Sequence, residues 1–134
     1  MKEIIEDTEY DDQYEPVEMV KNDGFRNGVP TTFYTITVEA DFDDEFVEIL
    51  EEFDLDVSGY ILETIILAYL EYGKAELIDN IVSFDTEMST FVAYADTEEN
   101  QHEIAALIQK LCTSKKAFKK IIKENLEEIR TKYS

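Results

Sequence analysis

Asp54-Leu55-Asp56-Val57-Ser58-Gly59-Tyr60-Ile61 is the stretch whose residue types and spacing come nearest to metal chemistry. Oxygen-bearing side chains at alternate positions, then a glycine that permits a tight turn, fit positions 1, 3, 5, 6 and 8 of a calcium-binding EF-hand loop. Position 12, which should bring a bidentate glutamate, is Ile65. Two oxygens are thereby missing and Glu63 stands two places too early, so the expectation is an acidic turn that starts a helix, with no metal. Whether the Asp54 to Gly59 turn holds calcium weakly is left open. A second cluster, Asp41, Asp43, Asp44 and Glu45, reads as the negative first turn of a helix, where carboxylates suit the helix dipole.

Other chemistry lacks its parts. Ser-His-Asp or Cys-His catalysis would have to use the single histidine, His102, which sits between Gln101 and Glu103 in the polar opening of a predicted helix and reads as a solvated residue. Cys112, the lone cysteine, follows Leu111 and reads as a small buried or half-buried thiol; no internal disulfide is possible. The glycines Gly24, Gly28, Gly59 and Gly73 fall far apart, so no phosphate-cradling loop can be built. Any two of 32 acids might be placed for glycoside hydrolysis, a freedom without information, and the chain has no tryptophan for a sugar to stack on. The chain is therefore expected to be no enzyme, with no catalytic residue, no cofactor and no metal.

Charge gives the positive clue. Residues 1 to 109 hold 29 of the 32 acids against four bases, Lys2, Lys21, Arg26 and Lys74, while residues 110 to 134 hold eight bases against Glu124, Glu127 and Glu128. The formal net charge is −20, where a domain of this size carries a magnitude of about 2 to 8. Such self-repulsion costs stability and implies a compensating use, most simply a basic partner. Nucleic acid and anionic membrane are disfavoured, because both attract lysine and arginine. Lys115, Lys116, Lys119, Lys120 and Lys123 crowd the start of the last predicted helix, where the dipole opposes them; lying beside the acidic body and neutralising it is their expected role.

The elements that must position these residues follow from periodicity. Residues 1 to 15 form an acidic arm, and residues 16 to 134 a single α+β domain, since 44% apolar content can build a core. Val17 to Lys21 and Thr32 to Val38 are β-rich and flank Asn22-Asp23-Gly24 and Asn27-Gly28, which predicts a hairpin with a long loop. Phe42, Phe46, Ile49, Leu50 and Phe53 make the stripe of a short helix. Tyr60 to Tyr72 is apolar all round, hence a central helix, capped by Gly73. Ile81 to Phe84 and Thr90 to Tyr94 predict a second hairpin, with Phe84 and Phe91 in the core. Thr97 and Ser114 open two carboxyl-terminal helices, the last striped by Phe118, Ile121, Ile122, Leu126 and Ile129. The predicted architecture is one small antiparallel sheet of about four strands against the central helix and the carboxyl-terminal pair. With no signal-peptide-like start and no long apolar run, a soluble, cytoplasmic chain is expected.

Ser58-Gly59-Tyr60 at the central helix, Ala75-Glu76-Leu77-Ile78-Asp79-Asn80-Ile81, and above all Phe84-Asp85-Thr86-Glu87-Met88-Ser89-Thr90-Phe91-Val92-Ala93-Tyr94 resemble the immunity protein 51 family of bacterial polymorphic-toxin systems. Family members often carry Asp-Trp where Ile61-Leu62 stand here. The resemblance implies a cytoplasmic antitoxin-type protein that binds a cognate toxin, with a basic face, and blocks it without chemistry of its own. Asp54, Asp56, Asp85 and Glu87, with Tyr60 and Tyr94 as aromatic anchors, are the expected partner-binding residues. The alternative is an acidic decoy that imitates nucleic acid and occupies DNA- or RNA-binding proteins in general; it would bind many basic proteins, whereas an immunity protein discriminates. Neither reading fixes the oligomeric state.

Overall fold

Asn27 and Gly28 both stand at positive φ, 54° and 81°, and the strands they join pair Arg26 with Val29 directly across them. A two-residue hairpin turn needs two left-handed residues, and Asn-Gly supplies them at least cost. The hairpin is therefore tight, without the expected long loop; Asn22, Asp23 and Gly24 lie inside a strand.

The computed structural model describes residues 3–41 and 44–133, so Phe42 and Asp43, expected at the opening of the first helix, lie outside the described residues. In chain order the elements are β1 (Glu3–Tyr14), β2 (Val17–Arg26), β3 (Val29–Glu39), α1 (Asp44–Glu52), α2 (Gly59–Lys74), a 3-10 segment (Ala75–Asn80), β4 (Ile81–Phe84), β5 (Thr90–Ala95), α3 (Glu98–Cys112) and α4 (Lys115–Tyr133). All neighbouring strands are antiparallel, in the order β1-β2-β3-β5-β4.

Strand alternation decides which face is covered. Val17, Met19, Ile36, Val38, Phe91, Ala93 and Ala95 are buried and belong to one cluster with Phe46 and Leu50 of α1, Ile61, Leu62, Ile65, Ile66 and Leu70 of α2, Ile104, Ile108 and Leu111 of α3, and Phe118, Ile121, Ile122 and Ile129 of α4. All four helices thus pack on one side of the sheet. Phe46 and Phe118 meet edge to face at 5.0 Å, joining α1 to α4. Gln101, 2% exposed, reaches from α3 to donate to the carbonyls of Val20 and Thr35 at 3.2 and 2.9 Å. The opposite face carries the interleaved residues Glu18, Val20, Thr35, Thr37, Val92 and Tyr94, placed there by register.

The α+β architecture is the expected one, with three corrections besides the tight hairpin. Residues 3–14, expected as an acidic arm, are the edge strand β1, paired with β2 from Glu3↔Arg26 to Tyr14↔Val17, and they make the sheet five-stranded. Glu9 and Asp12 are exposed on this edge strand, where charge is tolerated, and so the usual strand composition is missing. Gly73 does not end the central helix, which continues through it to Lys74 and then tightens into the 3-10 segment. Phe84 is 38% exposed, while Phe91, at 0%, is fully buried.

Candidate functional site

Ser58 caps α2: its backbone is extended and its hydroxyl accepts from the Ile61 N–H at 3.1 Å. A side chain spent on a cap is not free to ligate an ion, so the loop's fifth EF-hand position serves the helix instead. Among the described residues no three or more His, Cys, Asp or Glu side chains are placed to hold a metal.

Gly59, next in line, is where two acidic turns meet. Its N–H donates to the Met88 carbonyl at 2.7 Å, and a Cβ added to it would fall 2.1 Å from the Glu87 carbonyl oxygen and 2.8 Å from the Thr90 nitrogen. The loop from Asp85 to Ser89 therefore lies directly on the first turn of α2. That loop is closed by Glu87 N–H to Thr90 carbonyl at 2.8 Å and by Asp85 N–H to Val92 carbonyl at 2.9 Å. Thr86 donates to Glu63 Oε1 at 2.6 Å and accepts from the Val92 N–H at 3.2 Å. The Ser89 carbonyl accepts from Ala40 N–H at 2.8 Å, tying the end of β3 to the same corner.

The result is a surface that mixes carboxylates with uncovered apolar groups. Asp56, Asp85 and Glu87 are exposed. Around them Met88 is 75%, Tyr60 45% and Val57 42% exposed. Tyr60 and Glu63 share a helical face three residues apart, so the helix side of the patch is acidic and aromatic too. Exposed methionine and tyrosine beside acids suit an interface centre better than solvent.

Of the residues singled out from sequence, Asp56, Tyr60, Asp85 and Glu87 are brought to this corner by the Gly59 contact. Tyr94 is linked to it, its hydroxyl 3.4 Å from Asp85 Oδ2, but its ring lies on the helix-free face of the sheet. Asp54 has a different task. At φ 57° it is the left-handed residue that ends α1, with its N–H on the Glu51 carbonyl at 3.0 Å and Leu55 N–H on the Leu50 carbonyl at 2.9 Å, the Schellman pattern of a helix terminus. Met88, Val57 and Glu63 were missed: exposure of an apolar loop residue leaves no mark in sequence, although Glu63 was legible from its spacing to Tyr60.

The remaining candidates are structural. His102 is half-buried, its ring edge-on to Tyr14 at 5.8 Å and its Nδ1 3.4 Å from Gln13 Nε2, so it helps hold β1 to α3. Burial pushes the Cys112 thiol up to about 12, which keeps it protonated and unreactive near neutral pH. Two of the five α4 lysines singled out are shown to meet the acidic body, Lys115 with Glu45 and Lys119 with Glu52 at 3.2 Å, while Lys120 lies 5.8 Å over the Tyr72 ring. Among the described residues no helix is long and apolar enough to cross a membrane.

Comparison with known proteins adds one finding. The family model described as Immunity protein 51 matches residues 31–127, well over half of the chain. Searches of curated proteins and of solved structures each gave no match.

Proposed function

The chain belongs to the Immunity protein 51 family, and on that premise we propose that it binds a cognate bacterial toxin domain in the cytoplasm and blocks it, using the acidic corner built by Asp56, Tyr60, Asp85 and Glu87. The observation that carries the reading is the Gly59 N–H to Met88 carbonyl bond, which fuses two acidic turns into one patch. A net charge of −20 accelerates encounter with a basic face, toward association rates of about 10⁸ M⁻¹s⁻¹ or above at low salt. Once docked, Tyr60 and Met88 supply the desolvated centre that sets the lifetime of the complex. Inhibition then follows from covering the toxin, and no bond is made or broken.

The test is co-expression with the toxin domain encoded by the adjacent gene. The unaltered chain restores growth, and Asp56→Lys, Asp85→Lys and Glu87→Lys combined abolish the rescue while the variant stays folded. Rescue undiminished by the triple reversal overturns the assignment of the site; no rescue by the unaltered chain overturns the function.

A further inference from the structure

The helix-free face of the sheet carries two adjoining hollows that the acidic corner does not use. At the end where β2 leaves the turn after β1, Asp12, Glu15, Glu18, Glu39 and Asp41 line a groove of about 750 Å³, and among the described residues no lysine or arginine lines it. One strand row away, Tyr10, Phe33, Thr35 and Tyr94 line a second hollow of about 280 Å³. The two are contiguous by register: Glu18 pairs with Thr37 in one row, and Val20, Thr35 and Tyr94 pair across the next. Side chains at i and i+2 along a strand lie on one face, about 7 Å apart.

Thr35 is what makes this more than a run of surface acids. The residue is 7% exposed, and its Oγ1 is buried with no hydrogen-bond partner. A hydroxyl in that condition costs stability unless something pairs with it. The hydroxyl itself is shielded from solvent, so a partner reaches it by displacing the side chains that line the same hollow, among them Tyr10, 72% exposed, and Tyr94. The base on this face, Arg26, stacks over Phe33 at 4.9 Å, at the end away from the groove.

We propose that this face seats an extended basic segment of a partner protein: an arginine or lysine enters the acidic groove, and the segment's adjacent backbone parts the Tyr10 and Tyr94 rings and hydrogen-bonds the Thr35 hydroxyl. Charge fixes the class of occupant, because five carboxylates reject nucleic acid and a net charge of −20 on each chain opposes a second copy. The proposal rests on the reading of the protein as a binder of a basic partner and extends it from the acidic corner across the sheet, through the Tyr94–Asp85 contact.

The probe is a decapeptide of alternating arginine and glycine, titrated at about 0.15 M salt, where long-range attraction is screened beyond roughly 8 Å, while backbone amide resonances are followed. Shifts are expected at Glu18, Val20, Thr35, Thr37, Glu39 and Tyr94, ahead of the acids of α1 and α3. Glu18→Gln with Glu39→Gln weakens binding by tenfold or more, and Thr35→Val weakens it by about fivefold, one hydrogen bond's share, without lowering the melting temperature. Shifts spread evenly over the acidic surface, or confined to the loop from Asp85 to Ser89, overturn the proposal, as does Thr35→Val binding as tightly as the parent. Failure here with intact toxin neutralisation leaves the immunity reading standing. Loss of neutralisation with peptide binding intact removes that reading and leaves this site.

Discussion

Gly59 and Asp96 show how much single residues hold, the first at the acidic corner and the second at the junction of β5 with α3. A methyl group at Gly59 collides with the Glu87 carbonyl, which is backbone and cannot swing aside. Gly59→Ala is expected to cost about 1–3 kcal/mol, the range for overpacking, and to separate the two acidic turns; thermal melts and loss of partner affinity check it. Asp96, between β5 and α3, accepts from Asn100 at 2.8 Å and from Asn80 at 2.9 Å. Those bonds, Asn100's first, favour the charged form and hold its carboxyl below the ordinary range. A pKa lowered in the folded state gives stability that is present above the unfolded value, about 3.9, and lost as pH falls through the folded one. Asp96→Asn therefore melts lower than the parent at pH 7, and the gap narrows as pH falls below about 4. A gap that widens on acidification contradicts the assignment.

At the scale of elements, legibility depended on whether a residue's neighbours were local in sequence. The helices were readable because their caps and stripes are short-range: Thr97 accepts from Asn100 N–H as a cap should, and Phe118, Ile121, Ile122 and Ile129 are all buried along α4. β1 was not readable, because its partner strand, its bulges and its tie to α3 through His102 are all non-local. The same reason hid the acidic corner. Asp56 and Glu87 belong to one patch only because Gly59 lets two distant loops touch. The placement of Lys115 and Lys119 was legible in outcome, since a basic segment beside an acidic body has an evident destination, though not their partners Glu45 and Glu52. Both pairs are solvent-exposed, and exposed pairs contribute about 0–1 kcal/mol. Lys115→Gln with Lys119→Gln should accordingly lower the melting temperature by only a few degrees, less still at 1 M salt. A collapse of the fold would mean that these ion pairs, and not the Phe46–Phe118 contact, dock α1 on α4.

For the whole molecule the ruling quantity is a charge of −20 on 134 residues. Twelve bases against 32 acids cannot neutralise it however they pair, so repulsion is a standing cost that salt relieves by screening. Raising sodium chloride from 0.02 to 0.5 M is expected to raise the melting temperature; a fall would show attraction dominating the fold. The same field makes the protein a fast binder of basic surfaces, and speed is where the account is most exposed. Stopped-flow association with the proposed toxin partner, at 0.02 and 0.15 M salt, measures it directly. The account predicts a rate that falls steeply with salt and drops about tenfold or more on reversal of Asp56, Asp85 and Glu87, while reversal of the equally exposed Glu48, Glu51 and Glu124 changes it far less. Equal effects of the two triple reversals, or a rate indifferent to both salt and charge, would contradict it.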